Sequence, residues 1–146
     1  MKKFLKAMLA AMLIAITAVT VCSCGVPSDP AKAKENLESN EYVVTKVDGT
    51  AATLSVKTLA LLVNVTLKDG ADSIVSGTNL KEVVTVIYFK DSKDASAMKK
   101  VGKELAEKVK EENGDDSDTE YTFGASGKVF YVGTKAGIEA AKKAKK

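Results

Sequence analysis

The order of hydrophobic and polar positions predicts a chain that mixes helices and strands. Apolar residues recur every three or four positions in four segments, which is the helical period, and β-branched or aromatic residues dominate five short segments, which favours strands. The predicted helices are Pro30–Ser39, Thr50–Val63, a third that follows the caps Asp91 and Ser92, and the segment after Thr134 that carries Ala136, Ile138 and Ala141. The third helix has an apolar stripe from Ala95 to Val109 and is predicted to end at Gly114. The predicted strands are Tyr42–Val47, Ala71–Ser76, Glu82–Lys90, Tyr121–Phe123 and Lys128–Val132.

Residues with capping chemistry precede three of these helices. Asp29 stands directly before Pro30, Asp91 stands before the third helix and Thr134 before the last. Short oxygen-bearing side chains accept hydrogen bonds from the first free amides of a helix, and proline suits its first turn. The starts of these helices are therefore predicted more sharply than their ends.

The segment Thr50–Leu67 is compatible with two structures. Ala52, Val56 and Val63 recur at helical spacing, whereas many of the other residues are β-branched and favour a strand. We predict a helix from Thr50 to Val63 that is closed by the turn Lys68–Gly70, and a strand remains the alternative.

The segment Val83–Phe89 is apolar at nearly every position, and hence on both sides of an extended chain. A strand of this kind is covered on two sides, by helices on both or by helices and an oligomer contact. The element order is α-β-α-β-β-α-β-β-α. We therefore expect an α+β fold, a mainly antiparallel sheet of about five strands with helices packed on it, ferredoxin-like or related.

A different pattern occupies the start of the chain. Three lysines and no acidic residue precede fifteen uncharged, mostly apolar residues, Ala7–Val21. This is the charge and hydropathy order of a secretory signal. A permanent membrane span needs roughly 20 apolar residues, so the segment favours a processed signal helix.

Two cysteines follow the apolar segment. The sequence Val21-Cys22-Ser23-Cys24-Gly25 resembles the lipobox of bacterial lipoprotein precursors, in which an aliphatic residue three positions before the lipidated cysteine and a small residue directly before it guide processing. The resemblance implies cleavage before Cys24 and lipidation of Cys24, with Val21, Ser23 and Gly25 as recognised neighbours. Cys22 is the alternative, although the valine before it is bulky for the pattern. An ordinary secretory cleavage site and an uncleaved anchor are the other interpretations.

This interpretation divides the chain into residues 1–23 as signal peptide, 24–28 as tether and 29–146 as a single α+β domain. The mature chain would have 123 of the 146 residues and would be held by acyl chains on the outer face of the cytoplasmic membrane, in the cell envelope. The mature part, notably Tyr42-Val43-Val44 and Val83–Phe89, resembles small lipoproteins of Gram-positive bacteria. That likeness implies no activity.

The charge balance argues against nucleic acid as a partner. Cleavage would remove Lys2, Lys3 and Lys6 from the 22 basic residues and leave 19, equal to the 19 acidic ones. Nucleic-acid binding requires a surplus of cations, and the mature chain has none. All cations are lysines, so the bidentate contacts that arginine makes with phosphate or carboxylate are excluded as well.

The chain has no histidine, and both of its cysteines lie in the signal region. Cysteine-dependent and Ser-His catalysis and the usual Cys/His zinc sites are therefore excluded from the mature domain. We expect no catalytic residue, no metal site and no cofactor.

Carboxylates and serine keep hydrolysis open as an alternative. The candidate groups are Glu82, Asp91 and Asp94 as paired acids, and Ser126 with Lys128 or Lys135 as nucleophile and base. Capping and dipole stabilisation of a helix by the two aspartates, and a tight turn at the serine, are the simpler interpretations.

Three further segments could bind ions or charged surfaces. They are the acidic loop with Asp115, Asp116, Asp118 and Glu120 for calcium, Gly133–Lys135 at a helix start for an anion, and Lys142–Lys146 for anionic lipid or wall polymer. A solvated loop, a helix cap and an exposed helix end explain the same residues.

These patterns together predict a membrane-anchored extracytoplasmic lipoprotein whose domain is a non-enzymatic binding module. Its partner would be an envelope protein, a peptide or a wall polymer, bound through an open face or edge of the sheet. The alternative is a small cell-envelope hydrolase that uses carboxylates or a Ser-Lys pair.

Overall fold

The computed structural model describes residues 26–113 and 121–145, which form one sheet with helices on both of its faces. The helices are α1 (Pro30–Ser39), α2 (Gly49–Leu61), α3 (Ser92–Asn113) and α4 (Lys135–Lys142). The strands are β1 (Val43–Asp48), β2 (Ala71–Thr78), β3 (Val83–Phe89), β4 (Tyr121–Ser126) and β5 (Val129–Thr134).

The sheet has the order β1-β2-β3-β5-β4, and every neighbouring pair is antiparallel. The expected α+β class with a mainly antiparallel sheet of about five strands is thus confirmed. In one half of the sheet, α3 joins β3 to β4 with β5 between them, which is the split arrangement of ferredoxin-like folds. In the other half β1 and β2 are direct neighbours, although α2 connects them.

The core lies on both faces of the sheet. Buried residues of α2 and α3 pack on one face together with Ile87 and Phe89, and buried residues of α1 and α4 pack on the other together with Val84, Val86 and Tyr88. These five residues all belong to β3, so the central strand is covered by helices on both sides, as its sequence predicts. Full burial of one such side chain contributes about 1.5–3 kcal/mol.

The segment after β1 is helical, which confirms the predicted helix over the alternative strand. Ala52, Val56 and Ala60 form one face of α2 and are almost completely buried against the sheet. Gly49 begins the helix with a φ of +62°, a conformation that glycine adopts without steric cost. The sharp turn lets α2 fold straight back over the strands.

Two strands end later than predicted, β2 at Thr78 and not at Ser76, and β4 at Ser126 and not at Phe123. β2 continues through Gly77 to Thr78. A Cβ at Gly77 would press on the side chain of Leu37 in α1, which explains why this strand position is a glycine. β4 likewise continues through Gly124, where a side chain would collide with Tyr131. Glycine inside a strand here marks the close approach of a large neighbour.

The predicted caps are confirmed. The Asp29 side chain accepts a hydrogen bond from the Ala31 amide at 2.9 Å, and the Asp91 side chain accepts one from the Lys93 amide at 2.7 Å. Thr134 caps α4 with its hydroxyl group. Helix starts are encoded locally, which is why the sequence locates them well.

Candidate functional site

Several predicted positions lie outside the described residues. They are Val21, Cys22, Ser23, Cys24 and Gly25 of the lipobox, and Asp115, Asp116, Asp118 and Glu120 of the acidic loop. Across residues 26–113 and 121–145, no helix is both long enough and apolar enough to cross a membrane.

The first described residues are held against the domain. Val26 is partly buried and packs on the apolar cluster beneath α1 and α4, and the Tyr88 hydroxyl donates a hydrogen bond to the Pro27 carbonyl at 2.9 Å. Burial, with a smaller contribution from the negative charge of Asp29, raises the pKa of Tyr88 well above its usual range. The hydroxyl therefore stays a proton donor at physiological pH, and the segment before α1 is held near the end of β3.

The strand register defines two ends of the sheet. At the Tyr88 end lie the end of β1 at Asp48, the start of β2 at Ala71 and the turn between β4 and β5. At the opposite end, the Leu80 end, lie Val43 at the start of β1 and the loop that carries Leu80 between β2 and β3. The Pro27 carbonyl, bound by Tyr88, thus lies at the Tyr88 end of the sheet.

An apolar stripe remains exposed on α2. Leu54 and Leu61 are each 66% exposed, and Leu62 directly after the helix is half exposed. Leu54 and Leu61 are seven residues apart, so they lie on the same side of the helix, two turns from each other. Buried Ala52 and Val56 face the sheet, and the stripe points away from that contact.

The helix that carries the stripe contacts β2 and the edge strand β1. Among the described residues β1 has a hydrogen-bonded strand neighbour on one side only, β2. Val43 in β1 is 75% exposed and lies on the same face as Val47, the face that α2 covers, because side chains alternate along a strand. The N-terminal half of α2 contacts the start of β2 through the 2.8 Å hydrogen bond from the Thr53 hydroxyl to the Ala71 carbonyl. Leu61 therefore lies toward the Leu80 end, as Val43 does.

The far end of β1 is polar. Asp48 accepts hydrogen bonds from Lys46 Nζ at 2.7 Å and from the Ser73 hydroxyl at 2.6 Å. The Lys46 contact and then the Ser73 contact hold the pKa of Asp48 below its usual range, so the carboxylate stays ionised. A charged pair on an edge strand also discourages unspecific strand pairing.

Asp94 has a structural role that the sequence does not reveal. Its carboxylate is 4% exposed and accepts three backbone hydrogen bonds, each of 2.9 Å, from the amides of Lys68, Asp69 and Gly70. Burial raises the pKa of Asp94, but the three amides and Lys57 outweigh burial, so the pKa lies below its usual range. The interpretation of Asp94 as a simple helix-dipole residue is therefore incomplete, since the side chain ties α3 to the turn after α2.

The candidate acids for hydrolysis do not converge. Asp91 caps α3, Asp94 is saturated by backbone amides, and Glu82 lies at the opposite end of β3. In the described part of the chain, no group of three acidic, histidine or cysteine side chains could hold a metal ion. The arrangement of these carboxylates serves helix and loop structure.

The two candidate Ser-Lys pairs differ in the distance between serine and lysine. Ser126 and Lys128 are both exposed around the two-residue turn between β4 and β5, since Ser126 pairs with Val129 in the ladder. Lys135 begins α4 at the other end of β5, about 20 Å away along a strand of six residues. Ser126 and Lys135 are therefore too far apart to act together.

The start of α4 is occupied by its own cap. The Thr134 hydroxyl accepts from the Gly137 amide at 3.1 Å and donates to the Val83 carbonyl at 3.3 Å. A Cβ at Gly137 would lie 2.8 Å from the same carbonyl, so the first turn is pressed onto β3. The interpretation as a cap is favoured over an anion site.

Two lysines of the basic segment Lys142–Lys146 form ion pairs within the molecule, and Lys146 lies outside the described residues. Lys142 contacts Glu139 at 3.0 Å and Lys145 contacts Glu41 at 3.5 Å. The backbone amide of Lys145 also donates to the Ser39 hydroxyl at 3.0 Å, which places this segment at the C-terminal end of α1. Exposed ion pairs of this kind contribute about 0–1 kcal/mol each.

Two features of the structure, the leucine stripe and the Asp94 contacts, are absent from the predictions made from the sequence. The stripe of Leu54 and Leu61 could have been found by plotting the predicted helix around its axis, because both lie opposite the Ala52–Val56 face. The contact of Asp94 with the Lys68–Gly70 turn has no local signal, since 24 to 26 residues separate its partners.

Comparisons with known proteins add no assignment: no family model matches the chain, and neither curated proteins nor solved structures give a significant match.

Proposed function

We propose that this protein is a lipoprotein of the cell envelope, anchored through Cys24, whose domain binds an extended segment of an envelope partner along β1 and the α2 stripe. The observation that carries the binding role is the exposed leucine stripe beside a strand edge. The anchoring role is carried by the basic, apolar and lipobox-like order of the first 25 residues.

The exposed leucines are costly for a protein that meets only water. Leu54 and Leu61 on α2, Leu62 directly after it and Val43 on β1 each leave half or more of their surface exposed to solvent. Grouped exposed apolar side chains mark interaction surfaces more often than isolated ones do. A binding partner would recover this burial, at about 25 cal/mol for each square ångström of apolar surface covered.

The edge of β1 favours an extended partner over a folded one. A strand that pairs on one side only still offers backbone donors and acceptors along its other side, and an added strand satisfies them. Side chains of the added strand would alternate, so every second residue would face α2. An apolar residue at these positions would cover exposed Val43, which makes the preferred ligand a segment with alternating apolar and polar residues. Leu54 and Leu61 point away from the sheet, so the partner would contact them by continuing over the outer side of α2.

Both faces of the sheet are covered by helices, which narrows the expected binding region to an edge. The other edge strand, β4, packs against α3. β1 also contacts helices, α1 and α2, so helix packing does not distinguish the two edges. The β1 edge is preferred because exposed Val43 lies on it.

Site-specific photo-crosslinking in cells tests this proposal. A crosslinker at Thr45, exposed in the middle of β1, is expected to capture a defined envelope protein, and one at Lys34 on the outer surface of α1 is the control. Leu54→Lys or Leu61→Lys should abolish that capture. Leu80→Lys, a matched change at an exposed leucine outside the stripe, should leave it intact.

Two outcomes would contradict the proposal. One is that crosslinkers at Thr45 and Lys34 capture the same protein equally well, or that capture from Thr45 survives Leu54→Lys and Leu61→Lys but is lost in Leu80→Lys. The other is turnover of a peptide or glycoside panel by the purified protein that Ser126→Ala or Asp91→Asn abolishes, because the domain would then be a hydrolase.

A further inference from the structure

We infer that the lipid anchor holds the domain in one orientation, with the Tyr88 end of the sheet against the bilayer and the Leu80 end directed away from it. The inference rests on the proposed lipidation of Cys24, and it adds which surface the anchored domain presents to partners.

The covalent distance from anchor to domain is short. Cys24 and Val26 are separated by one residue, and two Cα–Cα steps of 3.8 Å allow at most about 7.6 Å between their Cα atoms. Val26 already packs on the domain, and Pro27 is held by Tyr88. A lipidated Cys24 therefore lacks the long flexible linker that would let the domain turn freely over the membrane.

The strands set the distance between the two ends. β3 has seven residues, so its ends lie about 23 Å apart at 3.3 Å for each residue. Tyr88 lies at one end of β3, and the loop with Leu80 precedes the other. With the Tyr88 end at the bilayer, Leu80 stands well clear of the lipid headgroups.

The distribution of exposed apolar side chains agrees with this orientation. Val43, Leu80, Leu61 and Leu62 lie toward the Leu80 end, whereas Leu54 lies midway along α2. The large exposed hydrophobic residues among those described thus avoid the Tyr88 end. The surface that fits a partner is the surface that the anchor leaves accessible.

The short tether, and not attraction of surface charges to the lipid headgroups, sets the inferred orientation of the domain. Exposed residues of both signs lie at the Tyr88 end, among them Lys68, Lys90 and Lys128 with Asp48, Asp69 and Asp72. Attraction to anionic lipid would be screened by salt within about a Debye length, whereas a covalent tether is not. The orientation is therefore expected to be insensitive to ionic strength.

The orientation also disfavours a second copy as the occupant of the β1 edge. Antiparallel pairing of two β1 strands would place the two Tyr88 ends at opposite ends of a continuous sheet. Both anchors could then not enter one flat bilayer. A partner segment without its own anchor at that position has no such conflict.

Quenching of single labels in vesicles tests the inference. The mature lipidated protein has no free thiol when Cys24 is acylated, so Lys128→Cys and Leu80→Cys each provide one labelling site, at the Tyr88 end and the Leu80 end. A lipid that carries its quencher on the headgroup should extinguish the label at position 128 and leave the label at position 80 bright. The difference should persist at high salt.

A matched control inserts a long Gly-Ser linker after Gly25, which should abolish the difference between the two labels because the domain can then rotate. Equal quenching of both labels without the linker, or stronger quenching at position 80, would overturn the inferred orientation. Failure of the anchor is a separate result, since an unlipidated protein would not float with the vesicles at all.

Discussion

Asp94 offers the sharpest test of how the two helices on one face of the sheet are joined. In Asp94→Asn, one oxygen can still accept from the Asp69 and Gly70 amides, but the new amide nitrogen then faces the Lys68 amide. The charge-assisted hydrogen bond from the Lys68 amide is lost, and two N–H donors, those of the substituted side chain and of Lys68, then face each other. Losing a hydrogen bond to a charged group costs about 1.5–3 kcal/mol, so we expect about 3 kcal/mol in the free energy of unfolding.

The same substitution should change how stability depends on pH. The pKa of Asp94 is lower in the folded chain than the value of about 3.9 for an unfolded aspartate. Its stabilising contribution is therefore present above that value and is lost as the pH falls toward the folded pKa. Wild-type protein should lose stability between about pH 5 and pH 2 more steeply than Asp94→Asn does.

Denaturant unfolding of the purified mature protein, followed by circular dichroism from neutral to acidic pH, measures both effects. Asp91→Asn is the matched control, because asparagine caps a helix as well as aspartate, and it should change stability by less than about 0.5 kcal/mol. A neutral-pH loss in Asp94→Asn no larger than that of the control would refute the role assigned to the three amide contacts.

Other predictions concern packing, the tether and a cap. Leu37→Ala should lower the free energy of unfolding by about 2–5 kcal/mol because Leu37 is completely buried, whereas Leu80→Ala at an exposed leucine should change it by less than about 0.5 kcal/mol in the same unfolding assay. Tyr88→Phe removes the donor to Pro27 and should cost about 1 kcal/mol, together with faster amide exchange of the residues after Pro27; unchanged exchange would contradict the contact. Thr134→Val should cost about 1 kcal/mol through loss of the cap of α4, and a thermal shift no greater than that of Thr45→Val on the exposed strand would argue against it.

The sequence predicts the fold class because its main signals are local. The apolar run of β3 indicates burial on two faces, and Asp29 and Thr134 mark helix starts with their own side chains. Each of these inferences needs only a few neighbouring residues. Local signals of this kind do not depend on the rest of the fold, and the structure confirms these inferences.

The remaining features depend on residues that are distant in the chain. β2 and β4 continue past Gly77 and Gly124, where Leu37 and Tyr131 approach closely from elsewhere in the fold. Asp94 suggests a helix-dipole residue, yet its partners are the amides of a turn some 25 residues earlier. No periodicity or cap signal reports such tertiary contacts.

The candidate surface was only partly predictable. The sequence predicts binding through an open face or an edge of the sheet, but helices cover both faces, and the order of the strands decides which strands form the edges. The leucine stripe becomes meaningful once α2 is known to lie beside β1. The lipobox residues are different, since Val21–Gly25 form a pattern that the sequence alone defines.

Mass spectrometry of the N-terminus of the mature protein tests the central claim most directly. The account predicts that the mature chain begins at Cys24 and carries diacylglycerol on the Cys24 sulfur. The Cys24→Ala variant should accumulate as uncleaved precursor, whereas the Cys22→Ala variant should be processed normally. A mature protein with an unmodified Cys24, or one cleaved at another position and released from the membrane fraction, would contradict it.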